Sequence, residues 1–164
     1  MTLEELKKRV KVLQDIEEIK KMHRDYIFWL SEQNWDDMTE CFAENAIIKI
    51  GVHGAQDDND EAKGKKEINR IFKDVIGKRA LEVKPKGGHI LLQPVITVEG
   101  DRAKGHWDMN RFVYNPDAHG GPAPEMGPGR YDCEYIREGG KWKISNLKWI
   151  HPFPKPPGSS EGKS

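Results

Sequence analysis

The order of periodic segments along this 164-residue chain predicts an α+β fold, a mostly antiparallel sheet with helices gathered on one side. Three observations carry that expectation. Residues 2–34 space their apolar side chains at helical intervals, a second helical stripe occupies residues 67–76, and from Gly87 to Ile150 β-branched and aromatic runs alternate with glycine turns. A strongly bent sheet closed off by helices leaves a blind cavity, a natural place for a small-molecule site. The length fits one domain with one sizeable core, here residues 1–152, followed by 153–164 as a flexible tail without core-forming residues beyond Phe153.

Thr2 followed by Glu5 has the capping-box pattern, and Leu3, Leu6, Val10 and Leu13 form a narrow stripe. Such a stripe suits either an oligomer seam or a helix lying on its own domain. Asp15 and Glu18 repeat the capping pattern, so a second helix is expected from Ile16, with Ile19, Met22, Tyr26, Ile27 and Leu30 facing the core. Residues 35–42 read as a short helix with Asp36 and Asp37 favourably placed at its N-terminus. Glu44-Asn45 then turns into an apolar strand over 46–52. The acidic run 55–61 lacks the ligand spacing of a calcium loop and reads as solvated. Ile68, Ile71, Phe72, Val75 and Ile76 mark a core-packed helix, and 78–86 is irregular.

The stretch 87–113 reads as a hairpin turning at Glu99-Gly100-Asp101. On its second strand, alternation puts Trp107, Met109, Arg111 and Val113 on one face, the more apolar one, assigned to the pocket. Residues 115–129 are too rich in glycine and proline for regular structure. Residues 130–136 and 141–150 flank Gly139-Gly140 as a closing hairpin, with Tyr131, Cys133 and Tyr135 sharing a face as pocket wall or sheet packing.

Lysine plus arginine balances aspartate plus glutamate at 27 each, which speaks against a nucleic-acid binder. The N-terminus is charged from Glu4 onward, so neither a signal peptide nor a membrane span is expected. Cys41 and Cys133 lack metal-ligand spacing and make no disulfide framework, which fits a reducing cytoplasm. His106, His119 and His151 have no ligand spacing with a neighbour, so no metal is expected.

From about Asp15 to His151 the sequence resembles the SnoaL-like branch of the NTF2-like superfamily, the cone-shaped fold of scytalone dehydratase, bile-acid 7α-dehydratase, ketosteroid isomerase and polyketide cyclases. Four pieces carry the resemblance: residues 16–42 with DYIFWLSEQNWDDMTECFAENA over the second half, residues 64–72, His89 with LLQPVITVEGDRAKG after it, and GRYDCEYIREGGKWKI over 129–144. The resemblance implies a cone with three to four helices, a homodimer or higher homo-oligomer, and chemistry without a cofactor. The fold hosts many activities, so it specifies function weakly.

In the dehydratases of this group the histidine matching His89 serves as general acid or base, and the tyrosine matching Tyr26 polarises the substrate oxygen. Imidazole chemistry suits a proton moved next to a carbonyl at neutral pH, and a phenol donor suits the enolate formed on the way. Two departures qualify this. The family's aspartate five residues after that tyrosine is Ser31 here, which can hydrogen-bond but brings no charge. A second carboxylate of the bile-acid dehydratases is replaced by Arg111, which implies either a different reaction on an anionic substrate or a pocket kept without catalysis. His89 and Tyr26 are therefore the catalytic candidates, and Arg111, Ser31, Trp107, Met109 and Tyr131 the substrate-binding ones. Each has a plainer alternative: His89 as a hydrogen-bonded residue at a strand start, Tyr26 as a core aromatic, Arg111 as a snorkelling side chain or half of a buried ion pair. The expected ligand is a small, anionic and partly apolar hydroxy-carbonyl molecule. The expected activity is a dehydratase or isomerase, with a non-catalytic binding or dimerisation module as the rival.

Overall fold

Thr2 caps the first helix, α1 (Leu3–Ser31), with both halves of a capping box: its hydroxyl accepts from the Glu5 N–H at 3.2 Å, and its own N–H donates to Glu5 Oε2 at 2.7 Å. The computed structural model describes residues 1–50, 61–78, 86–114 and 124–150. Within it α1 runs unbroken for 29 residues. The second helix start expected at Asp15 does not occur. Asp15 is buried in mid-helix, where it accepts from Trp142 Nε1 at 3.2 Å and pairs with Arg137 and Lys11. Arg137 lies over the Trp142 ring, 4.7 Å from its centroid. Lys11 one turn away and the distant Arg137 and Trp142 satisfy the carboxylate, so it has no need to turn back on its own backbone. Burial alone would raise the Asp15 pKa, but the hydrogen bonds from Lys11 and Trp142 and the Arg137 charge outweigh it and hold the pKa below the usual carboxylate value.

The first part of α1, including Leu3, Leu6, Val10 and Leu13, is exposed, whereas Ile19, His23, Tyr26 and Ile27 are buried. That buried part packs against α2 (Trp35–Glu40) and against strands introduced below. Asn34 caps α2 by accepting from the Asp37 N–H. The chain then enters β1 (Phe42–Lys49) directly after Cys41, so the expected turn at Glu44-Asn45 is replaced by continuous strand. After β2 (Glu61–Lys63), α3 (Lys65–Arg70) continues as a π-helical segment, Ile71–Gly77, with Ile68 and Phe72 buried as the stripe predicts.

The hairpin forms as β3 (Lys86–Glu99) and β4 (Arg102–Tyr114), turning at Gly100, whose φ of 61° needs glycine. Gly139 and Gly140 similarly join β5 (Pro124–Glu138) to β6 (Lys141–Ile150). The expectation that 115–129 is wholly irregular is corrected from Pro124 onward. There, among the described residues, β5 pairs with β4 alone, because β6 joins only at Arg130↔Ile150, and a one-sided ladder tolerates proline. Residues 51–60, 79–85, 115–123 and 151–164 lie outside the described residues, and with them most of the acidic run, the irregular connection and the tail.

The six strands run in the order β2-β1-β6-β5-β4-β3, antiparallel except for the β1–β6 pair, which ties the first part of the sheet to its last strand. Bulges between Leu92 and Val95 and between Glu134 and Tyr135 bend the strands, giving a curved, unclosed sheet with α1 packed against β3 and β6. The core lies between α1 and the concave face. Among the described residues no helix is long and apolar enough to cross a membrane.

Candidate functional site

Strand alternation builds the site. On β4, Ala103, Gly105, Trp107 and Met109 are buried while Lys104, His106 and Asp108 face out. On β5 the inward set is Gly129, Tyr131, Cys133 and Tyr135, with Trp107 opposite Tyr131 and Met109 opposite Gly129. Gly129 is obligatory, since a Cβ there would sit 1.8 Å from the Trp149 ring. Tyr131 and Trp149 meet edge to face at 5.2 Å.

Into this aromatic wall α1 inserts His23, which is fully buried. Its imidazole stacks on Trp107 with centroids 4.7 Å apart and planes 19° from parallel, and it meets Tyr26 edge-on at 5.5 Å. The Trp107 indole N–H donates to the Tyr135 hydroxyl at 2.7 Å, and that hydroxyl lies 3.0 Å from His23 Nδ1. Burial pushes the His23 pKa down to about 3, so the ring is neutral at physiological pH. His23 Nε2 is buried without a hydrogen-bond partner among the described residues. Tyr26 and Tyr131 meet edge to face with ring centroids 6.3 Å apart, and burial raises both phenol pKa values well above their ordinary range.

At the other end of the same face, His89 on β3 pairs across the ladder with Arg111 on β4, next to the Leu91↔Met109 pair. His89 is half-buried and its Nδ1 is a second buried atom without a partner among the described residues. Burial, and then the Arg111 charge, lower its pKa to about 4. Arg111 also acts on Tyr131, so its field reaches from the rim into the aromatic wall. From Arg111 back to Trp107 is four residues along β4, roughly 13 Å at strand rise.

The structure therefore brings Tyr26, Trp107, Met109 and Tyr131 together in one buried cluster and sets His89 and Arg111 side by side at its open end. Arg111 is exposed and unpaired among the described residues, so it is not half of a buried ion pair. Ser31 is exposed at the last position of α1, outside the buried cluster. The residue missed by sequence reasoning is His23. It sits four residues after Ile19 and three before Tyr26, squarely on the core stripe, where a pattern of apolar residues does not register a polar one.

Cys41 and Cys133 are buried free thiols, pushed up by burial to about 11 and about 12, and so are poor nucleophiles. Among the described residues no group of three His, Cys, Asp or Glu side chains is placed to hold a metal ion.

A family model for the SnoaL-like domain matches residues 11–148. No curated protein sequence matches the chain. Among solved structures, an NTF2-like protein with a cystatin-like fold from Novosphingobium aromaticivorans is 18% identical, with a TM-score of 0.71 over 94% of this chain and 93% of that one. A protein of the same organism provisionally named scytalone dehydratase is 15% identical, with a TM-score of 0.67 over 91% and 97%. Another, provisionally named aromatic ring hydroxylase, is 19% identical, with a TM-score of 0.68 over 87% and 92%. These likenesses establish the NTF2-like cone as the fold.

Proposed function

The chain belongs to the SnoaL-like domain family, and from that premise we propose that it is a cofactor-independent lyase or isomerase that moves a proton next to a carbonyl of a small, partly apolar, anionic molecule. The observation that carries the reading is the buried Nδ1 of His89, without a partner among the described residues, on the same face as Met109 and directly across from Arg111. A neutral imidazole is free to accept a proton from the carbon beside a carbonyl. The electron pair then moves onto the carbonyl oxygen, where the Tyr26–Tyr131 phenol pair supplies donors that stay protonated in this setting. Handing the proton to a departing hydroxyl completes a dehydration, and returning it to another carbon completes an isomerisation. Arg111 suits a substrate carboxylate. An anion seated there would cancel one of the two causes that depress the His89 pKa, making the ring a better base when substrate is bound.

A binding-only role is the second reading, favoured by one observation: with Ser31 exposed and a cation opposite His89, no carboxylate among the described residues orients the imidazole. Turnover of a panel of aromatic β-hydroxy carboxylates, followed chromatographically, separates the two. We expect His89→Gln to lower turnover by at least a hundredfold while leaving ligand affinity within a few fold. Binding of these compounds without turnover by the wild-type protein would discard the enzyme in favour of the module.

A further inference from the structure

We infer that His23 is a ligand-binding residue: its Nε2–H is a fixed, neutral donor that takes a carbonyl oxygen at the deep end of the concave face. The inference rests on the reading that this face receives a carbonyl-bearing ligand, and it adds the residue and the end of the ligand that the deep wall recognises.

The hydrogen-bond order fixes the tautomer. Trp107 Nε1 can only donate, so the Tyr135 oxygen accepts there. The single phenolic proton then has two neighbours, His23 Nδ1 at 3.0 Å and the Cys133 sulfur. Sulfur is a weak acceptor and the imidazole nitrogen a good one, so the proton points to Nδ1. A neutral imidazole whose Nδ1 accepts carries its hydrogen on Nε2. Nδ1 is turned toward Tyr135, and the two ring nitrogens diverge, so the donor points away from Tyr135. It has no acceptor among the described residues, on a side chain with no exposed surface.

An apolar residue of similar shape would fit this wall without that cost, because an unsatisfied buried donor is unfavourable. A neutral imidazole donor is also the right electrophile for a carbonyl, since it polarises the oxygen without carrying a charge into an aromatic setting. The atom is sealed from solvent, so a ligand reaches it by displacing a neighbour. Met109, unbranched, buried and next to Trp107 on the same face, is an adaptable side chain in that wall. A molecule that met both His23 and Arg111 would be extended and mainly apolar, with a carbonyl at its leading end and an anionic group at its trailing end.

The test is a cycle with two probes and two proteins, acetylnaphthalene and ethylnaphthalene against wild type and His23→Leu, read by calorimetry. The ketone should bind His23→Leu about tenfold more weakly than wild type, the hydrocarbon equally to both, and His23→Gln should restore part of the ketone preference. Thermal unfolding of His23→Leu is expected at the same temperature or higher, which shows that the loss is not misfolding. Equal binding of the two probes to both proteins would overturn the role of His23 while leaving proton transfer at His89 standing. Failure of both probes to bind wild type would remove the ligand site itself and the inference with it. Nitrogen NMR of the unliganded protein gives an independent check, since hydrogen on Nδ1 of His23 also overturns the inference.

Discussion

His23 and His89 are both neutral imidazoles with one buried nitrogen lacking a partner among the described residues, yet they stand in opposite surroundings. His23 is wedged among Trp107, Tyr26, Tyr131 and Tyr135, and burial alone depresses its pKa to about 3. His89 is half-buried at the open end, and a guanidinium across the strand adds to the burial to give about 4. The lesson is that one property, a histidine kept unprotonated, is produced by packing at one end and partly by charge at the other. Packing is expensive to disturb and changes little on ligand binding; a charge is cheap to remove and is cancelled by an anion.

The largest effect should come from breaking the packed end. Trp107→Ala removes the ring on which His23 stacks and the donor to Tyr135, and should cost about 3–5 kcal/mol in urea denaturation. Arg111→Ala, at an exposed position without a partner among the described residues, should change stability by no more than about 0.5 kcal/mol. Equal costs at the two sites would erase the contrast between packing and charge.

The next effect is on the pH dependence of stability. A folded-state histidine pKa below the ordinary value of about 6.5 means that the unfolded chain takes up a proton the folded chain refuses. Stability is therefore full above that value and falls as the pH drops toward the folded pKa, by about 1.4 kcal/mol per pH unit for His23 down to about 3. His89 adds a smaller slope that ends near 4, reduced because the ring is partly exposed. Asp15, whose pKa is lowered, acts in the same direction but only below the ordinary carboxylate range, so the loss between pH 6.5 and 5 belongs to the histidines. Denaturation midpoints measured across that interval should fall for wild type and flatten in His23→Leu. An unchanged slope in the variant would place the proton uptake elsewhere.

How much of this was legible in the sequence differs by the kind of signal. Local chemistry read well: the Thr2–Glu5 box, the turns at Gly100 and Gly139-Gly140, and the alternation that put Trp107 and Met109 on one inward face all depend on near neighbours. Where a distant residue decides, the local signal misled. Asp15 looks like a helix cap, but Arg137 and Trp142 hold it inside a continuous helix. Residues 124–129 look like loop, and become strand because the distant β4 offers them a ladder. In the site, alternation carried the inward assignment as far as Met109, and Arg111, next in the same register, emerges at the rim. His23 was hidden because a polar residue on an apolar stripe is invisible to a count of apolar residues, although its position between Ile19 and Tyr26 was there to be read.

The smallest effect is the one that separates the two ends most cleanly. Arg111→Gln removes a positive charge from beside His89 and leaves its burial largely intact. A neighbouring cation disfavours the imidazolium, so its removal should raise the His89 pKa, though not to the ordinary value, because burial is the larger cause and remains. The His23 pKa has no contribution from Arg111 and should stay where burial has put it. Proton NMR titration of the two rings in wild type and variant reads both at once. Movement of His89 alone would show that the open end is tuned by charge and is therefore open to tuning by an anionic ligand. If both rings moved, the variant would have loosened the aromatic wall, and the two ends would form one packed unit rather than two separately controlled sites. If neither moved, Arg111 would be too well solvated to act on His89, and the case for an anion switching the base on would fall with it.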